Sequence, residues 1–217
     1  MTNPLLSLPP QRLGASADSA AAVTVLLHGR GGSIDDIATV VDRLALPNMA
    51  YLAVPAAEGT WYPKGFLAPR DDNQPHLDWA LERLEGIVSE LVRTGRRREH
   101  IALLGFSQGA CLALEYAFRH PTRWGAVVAF TGGLIGPPET RWEAAPGVRD
   151  TPILLTDGDT DPWVPLARVR ESADVFRLSG AAVSERVYPA REHLISDDEI
   201  AAGRGVLMGL LAKAVFA

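Results

Sequence analysis

Ser107 stands in Gly105-Phe106-Ser107-Gln108-Gly109, between an apolar run over residues 101–106 and a helix-like run over residues 108–119. A serine on so sharp a strand-to-helix turn has its hydroxyl pushed above the strand end, free to attack a carbonyl. Gly105 and Gly109 leave room for the tight backbone such a turn needs. The Gln108 amide then lies at a helix N-terminus, where it can donate to a developing oxyanion. A serine in this place can also serve simply as a helix cap. The nucleophile reading therefore needs a base and an acid elsewhere in the chain.

Five histidines are available. His76, His100 and His120 sit beside helices and strands and read as surface or turn positions. His28 follows a strand and reads as shaping the adjoining Gly-rich turn through hydrogen bonds. His193 follows the last strand and is the expected general base. Asp161, backed by Pro162-Trp163-Val164-Pro165, is the expected acid that orients it, with Asp159 the second choice. Asp157 and Asp159 can instead bond nearby amides within their turn. The order Ser, Asp, His accompanies a G-x-S-x-G elbow on an α/β-hydrolase sheet. In His28-Gly29-Arg30-Gly31-Gly32 the Arg30 amide is the expected second oxyanion donor, and the Arg30 side chain reads as solvated. This stretch is not a dinucleotide loop, because G-x-G-x-x-G requires glycine where Ile34 stands. Neither a phosphate-loop pattern nor a metal-spaced His/Cys cluster is present, so no metal and no cofactor is expected.

The elements that must hold these residues follow from apolar periodicity. Short apolar runs over residues 23–27, 49–54, 101–106, 125–130, 153–156 and 183–188 read as strands. Runs with helical spacing begin near residues 34, 76, 108, 165 and 197. Ser33 with Asp36, and Ser196 with Glu199, resemble capping boxes. Strands alternating with helices imply an α/β fold: a mostly parallel central sheet of about six to seven strands with helices on both faces. Ligands bind outside the carboxyl ends of such strands. Chain order fixes the loops at those ends as residues 28–33, 58–74, 107, 132–150, 157–162 and 189–194. Every residue named above for chemistry lies in one of these loops or opens the helix that follows it. Trp61, Tyr62, Phe66, Leu134 and Trp163 share the same edge and are the expected walls of a substrate pocket.

The bulk numbers narrow the partners. With 217 residues the chain is expected to form one domain, 1–217, with an irregular N-terminal arm over 1–22 that has room for one short edge strand. A net charge of −5 argues against nucleic acid and anionic membrane surfaces. The one basic cluster, Arg96-Arg97-Arg98, reads as a solvated helix end. The lone cysteine, Cys111, excludes an internal disulfide and reads as a small core residue. No export signal or membrane-length apolar stretch is read in the sequence, so a cytoplasmic enzyme without stable membrane insertion is expected. A homodimer is compatible with the chain, which does not fix its oligomeric state.

With these residues in view, the chain resembles the phospholipase/carboxylesterase family of α/β-hydrolases, which includes the acyl-protein thioesterases. The resemblance runs from Leu26-Leu27-His28-Gly29-Arg30-Gly31-Gly32 through the Ser107 elbow and Gly158 to Asp161, with Val164-Pro165, to His193 and the acidic start at Ser196. Trp61-Tyr62-Pro63 and the stretch from Phe66 to Arg70 are similar to the bacterial carboxylesterase branch. The resemblance implies a hydrolase with no large lid domain, acting on small-molecule carboxylic esters or thioesters without a cofactor. Short loops point to small or medium acyl chains. Thioester or lysophospholipid cleavage is the alternative of the same chemistry, and a catalytically silent binding protein the distant one. Two positions depart from the family's pattern: Glu192 replaces a glycine before the histidine, and Gly-Gly-Ser replaces the Gly-Asp of many thioesterases.

Overall fold

Apolar runs of five or six residues, bounded by turn-forming residues, are too short for stable helices and favour strands buried on both faces. The computed structural model describes residues 2–17 and 19–215. Its strands are β1 (Gln11–Gly14), β2 (Ala22–Leu27), β3 (Met49–Val54), β4 (Ile101–Phe106), β5 (Ala126–Phe130), β6 (Pro152–Gly158) and β7 (Ala182–Tyr188). They form one seven-stranded sheet in the order β1-β3-β2-β4-β5-β6-β7. Every pairing is parallel except β1 with β3. This is the α/β-hydrolase sheet, and no large lid covers its edge among the described residues.

The helices are α1 (Ile34–Leu44), α2 (His76–Arg93), α3 (Gln108–Arg119), α4 (Leu166–Leu178) and α5 (Asp197–Val215). Two apolar layers sandwich the sheet. Val23, Val25 and Leu27 of β2 join residues of α2, α3 and α4 in one layer. Ala22 and Leu26 point the other way and join Ile37, Val40 and Leu44 of α1 with Ile200, Leu207 and Leu210 of α5. This alternation is the strand period of two expressed as packing. Both capping boxes form. Ser33 Oγ accepts from the Asp36 amide, and the Asp36 carboxylate accepts from the Ser33 amide. Ser196 and Glu199 repeat the exchange ahead of α5. Among the described residues no helix is long and apolar enough to cross a membrane.

The arm carries the short edge strand it had room for, β1, along the sheet edge, and adds a 3-10 turn over Pro4–Ser7 with Leu5 buried. One expectation changes. Arg96, expected to be solvated, donates to the carbonyls of Ala17, Ala20 and Ala21 at 2.6–3.1 Å. It thereby straps the arm to the end of α2. Arg97 pairs with Glu99 at the surface, and Arg98 lies 5.6 Å over the Trp124 ring.

Candidate active site

The elbow forms because two glycines admit a close approach. A Cβ on Gly109 would lie 2.2 Å from the Leu27 carbonyl oxygen, and one on Gly105 would lie 2.3 Å from the Gly109 carbonyl. No side chain fits there. Ser107 itself adopts φ 54°, ψ −118°, a conformation that L residues disfavour. The turn lifts its hydroxyl off the end of β4, at the start of α3.

His193 reaches this hydroxyl from the loop between β7 and α5. Its Nε2 lies 2.8 Å from Ser107 Oγ, and its Nδ1 lies 2.6 Å from Asp161 Oδ2. A carboxylate only accepts, so Nδ1 carries the proton and Nε2 accepts from the serine hydroxyl. The Asp161 side chain is fully buried. Its other oxygen accepts from the amides of Trp163 at 2.7 Å and Val164 at 2.9 Å. That arrangement aims Oδ2 at the imidazole. Phe106 packs beside the imidazole, ring centroids 5.1 Å apart. Asp159 is used elsewhere, accepting from the Ala190 amide. Asp157 lies inside β6, fully buried, and accepts from the Gly158 amide.

The Gly-rich turn after β2 is built around His28, whose Nε2 accepts from the Ala56 amide at 3.2 Å. Its Nδ1 therefore donates, to the Gly29 carbonyl at 2.7 Å. Burial pushes its pKa down, which keeps the ring neutral. The turn-shaping role read for His28 matches these bonds. The Arg30 and Gln108 amides donate to no protein acceptor among the described residues, and both residues face the same cavity as Ser107.

That cavity, of about 350 Å³, is walled by Tyr62, Phe66, Cys111, Trp163 and Val164, with Arg30, Gln108 and His193 also facing it. A larger groove of about 630 Å³ runs along α2 beside Arg12, Arg83 and Arg96, remote from the serine and histidine. Trp61 and Leu134 are corrected. Both are buried, at 1% and 0% exposure, and neither lines the cavity. The Trp61 indole N–H donates to the His28 carbonyl at 2.9 Å, so the ring braces the turn from beneath. The Leu134 amide donates to Ser172 and its carbonyl accepts from Arg168, which fixes it against α4. The Arg30 side chain is exposed, as read, and its guanidinium also donates to the carbonyls of Pro63 and Lys64 and so fastens the aromatic loop.

Three contributors were not read from the sequence. The Gln108 side chain accepts from the Trp61 amide and donates to the Tyr62 carbonyl. Buried Glu115, two turns along α3, pairs with Arg70 and Arg119 and accepts from the Ile135 amide. Cys111, read only as a core residue, is buried and also reaches the cavity wall. The i, i+4 spacing from Ser107 was the available signal for it. Glu192 is exposed, and the left-handed residue of its loop is Ala190 at φ 53°, so glycine's freedom is not required at position 192.

The family described as Phospholipase/Carboxylesterase matches residues 11–205. Among solved structures, a phospholipase/carboxylesterase from Dyadobacter fermentans is 41% identical with a TM-score of 0.87, covering 93% of this chain and 97% of that one. Acyl-protein thioesterase 1 of Saccharomyces cerevisiae is 29% identical over 211 residues, covering 87% of this chain and 92% of that protein. Putative esterase NocK of Nocardia uniformis is 30% identical over 148 residues, 66% of this chain. The match spans only 41% of that relative's length.

Proposed function

The chain belongs to the phospholipase/carboxylesterase family, a premise from which we propose that Ser107, His193 and Asp161 hydrolyse carboxylic esters of small to medium acyl chains through an acyl-enzyme. One observation carries this reading: a single imidazole joins the serine hydroxyl at 2.8 Å to a buried carboxylate at 2.6 Å.

Ser107 Oγ attacks the ester carbonyl while His193 Nε2 takes its proton. Asp161 holds the imidazole in the accepting tautomer and stabilises the charge it gains. The Arg30 and Gln108 amides receive the oxyanion, each donor contributing about 3–4 kcal/mol to the transition state. His193 then gives its proton to the leaving alcohol as the C–O bond breaks. Water, deprotonated by the same nitrogen, attacks the acyl-enzyme and releases the acid and free Ser107. Tyr62, Phe66, Trp163 and Val164 offer an apolar wall for the acyl group. We place the enzyme in the cytoplasm, acting on small-molecule esters without nucleic acid or a stable membrane anchor, on its net charge of −5 and single buried cysteine.

The test compares wild type with Ser107→Ala on short-chain p-nitrophenyl esters. Turnover by the wild type and its loss in the variant is expected; equal rates overturn the reading. Thioester cleavage is the second reading, favoured by the likeness to the yeast acyl-protein thioesterase over 92% of its length. Relative turnover of acyl thioesters and oxygen esters of one chain length separates the two.

A further inference from the structure

The loop that carries His193 encloses a charge pair. Arg191 is 8% exposed and Glu199 is fully buried. A buried guanidinium is unfavourable unless it is paired; both Nη atoms of Arg191 find partners, while its Nε has none among the described residues. Arg191 Nη1 donates to the carbonyls of Glu192, at 3.0 Å, and Leu194, the two residues that flank His193. Its Nη2 donates to Thr131 Oγ1 at 3.2 Å, just past the end of β5, and lies 3.2 Å from Glu199 Oε1. The same carboxylate accepts from Thr156 of β6 and from the Ser196 amide.

The main chain of Arg191 is held as firmly. Its carbonyl accepts from Thr160 Oγ1 at 2.9 Å, and a Cβ on Gly158 would lie 1.9 Å from that oxygen. Thr160 immediately precedes Asp161, so the acid's loop and the base's loop meet at this peptide. The guanidinium bridges the carbonyls of the residues before and after His193, and Arg191 does not itself face the cavity.

We propose that Arg191 is a positioning residue that holds the His193 main chain in register with Asp161 and Ser107, with Glu199 as its buried counter-charge. The inference rests on the Ser107–His193–Asp161 reading above. Arginine is required because its planar fork reaches two carbonyls, a hydroxyl and a carboxylate at once. A lysine ammonium can keep the pair with Glu199 but cannot span those acceptors.

The test uses Arg191→Lys, Arg191→Met and Thr160→Val in the full chain, with Ser107→Ala in parallel. The measurements are kcat and KM on a short-chain p-nitrophenyl ester, and the low-field proton resonance of the His193 Nδ1–H donated to Asp161. Arg191→Lys is expected to fold, to lose about 10²-fold in kcat, the scale of a small misplacement of a reacting group, and to keep its KM. The low-field resonance weakens with it. Thr160→Val moves kcat and the resonance the same way by less, and it tests the inference even where Arg191→Met does not fold. Folded Arg191→Lys with wild-type kcat and an intact resonance overturns the inference. A loss confined to KM overturns it as well. Turnover surviving in Ser107→Ala overturns the underlying reading. Inactive Ser107→Ala beside fully active Arg191 variants overturns only the inference.

Discussion

The Gln108 side chain donates to the Tyr62 carbonyl at 2.7 Å and accepts from the Trp61 amide at 3.0 Å. The residue after the proposed nucleophile therefore fixes the loop that walls the cavity and also faces that cavity itself. Only side-chain atoms make the anchor. Gln108→Ala keeps the amide and leaves the buried Trp61 amide unpaired, at about 1–3 kcal/mol, while the Tyr62 carbonyl keeps Thr60 Oγ1 as a donor at 3.1 Å. The expected variant has a lower denaturation midpoint, faster hydrogen exchange at residues 60–66 and a raised KM, with kcat largely kept. Unchanged exchange and KM break the link between anchor and pocket.

Ser107 stores backbone strain in the service of that geometry. Its φ of 54° with ψ of −118° disfavours any residue with a Cβ by about 1–3 kcal/mol. Glycine relieves the strain but adds about 0.4–1 kcal/mol of unfolded-chain entropy. Ser107→Gly should therefore be more stable than Ser107→Ala by about 1 kcal/mol, and both should be inactive. Both variants lose the bond to His193, so their difference in Tm isolates the backbone. A glycine variant that melts below the alanine variant contradicts the strain assignment.

These relationships mark what was readable in the sequence. Periodicity and chain order fixed the strands, the sheet edge and the six loops. The positions of Ser107, Asp161, His193 and the cavity-facing residues Arg30 and Gln108 were readable because they follow from where the backbone puts each residue. The fates of Trp61 and Leu134 were not readable. A side chain on an active-edge loop turns toward cavity or core according to the partners that arrive from distant segments, such as the His28 carbonyl and Ser172. Arg96 failed for the same reason: it reads as a surface cation, yet it satisfies carbonyls of the N-terminal arm that no local pattern announces. Arg191 was not singled out at all, because the partners that bury it, Thr131 and Glu199, arrive from distant segments.

Asp157 makes stability depend on pH. Burial pushes its carboxyl up from 3.8 to about 7, helped by the nearby charges of Asp161 and Glu199 and opposed by the Gly158 amide and Arg191. Between those values the folded chain holds a proton that the unfolded chain has released. The folded pKa is the higher one, so this group's contribution to stability falls as pH rises through the window. Asparagine keeps an acceptor for the Gly158 amide and titrates in neither state. Urea midpoints of Asp157→Asn relative to wild type should shift in the variant's favour between about pH 5 and about pH 8. A pH-independent difference removes Asp157 as the titrating group.

Trp61 and Trp163 share a residue type and a sheet edge, and burial gives them opposite roles. Trp61 is 1% exposed and bonded to the turn that presents Arg30, whereas Trp163 is 73% exposed at the cavity wall. Trp163→Ala should leave stability within about 0.5 kcal/mol, because the indole has little packing to lose. It should raise KM most for the longer members of a p-nitrophenyl ester series, whose acyl chains need that wall. Trp61→Ala should instead lower stability by about 3–5 kcal/mol, with no selective effect along the series until the fold itself is compromised. Measuring both variants on one ester series separates wall from brace. If Trp163→Ala leaves the chain-length profile unchanged, the acyl group does not lie against the indole, and the apolar wall reduces to Tyr62, Phe66 and Val164.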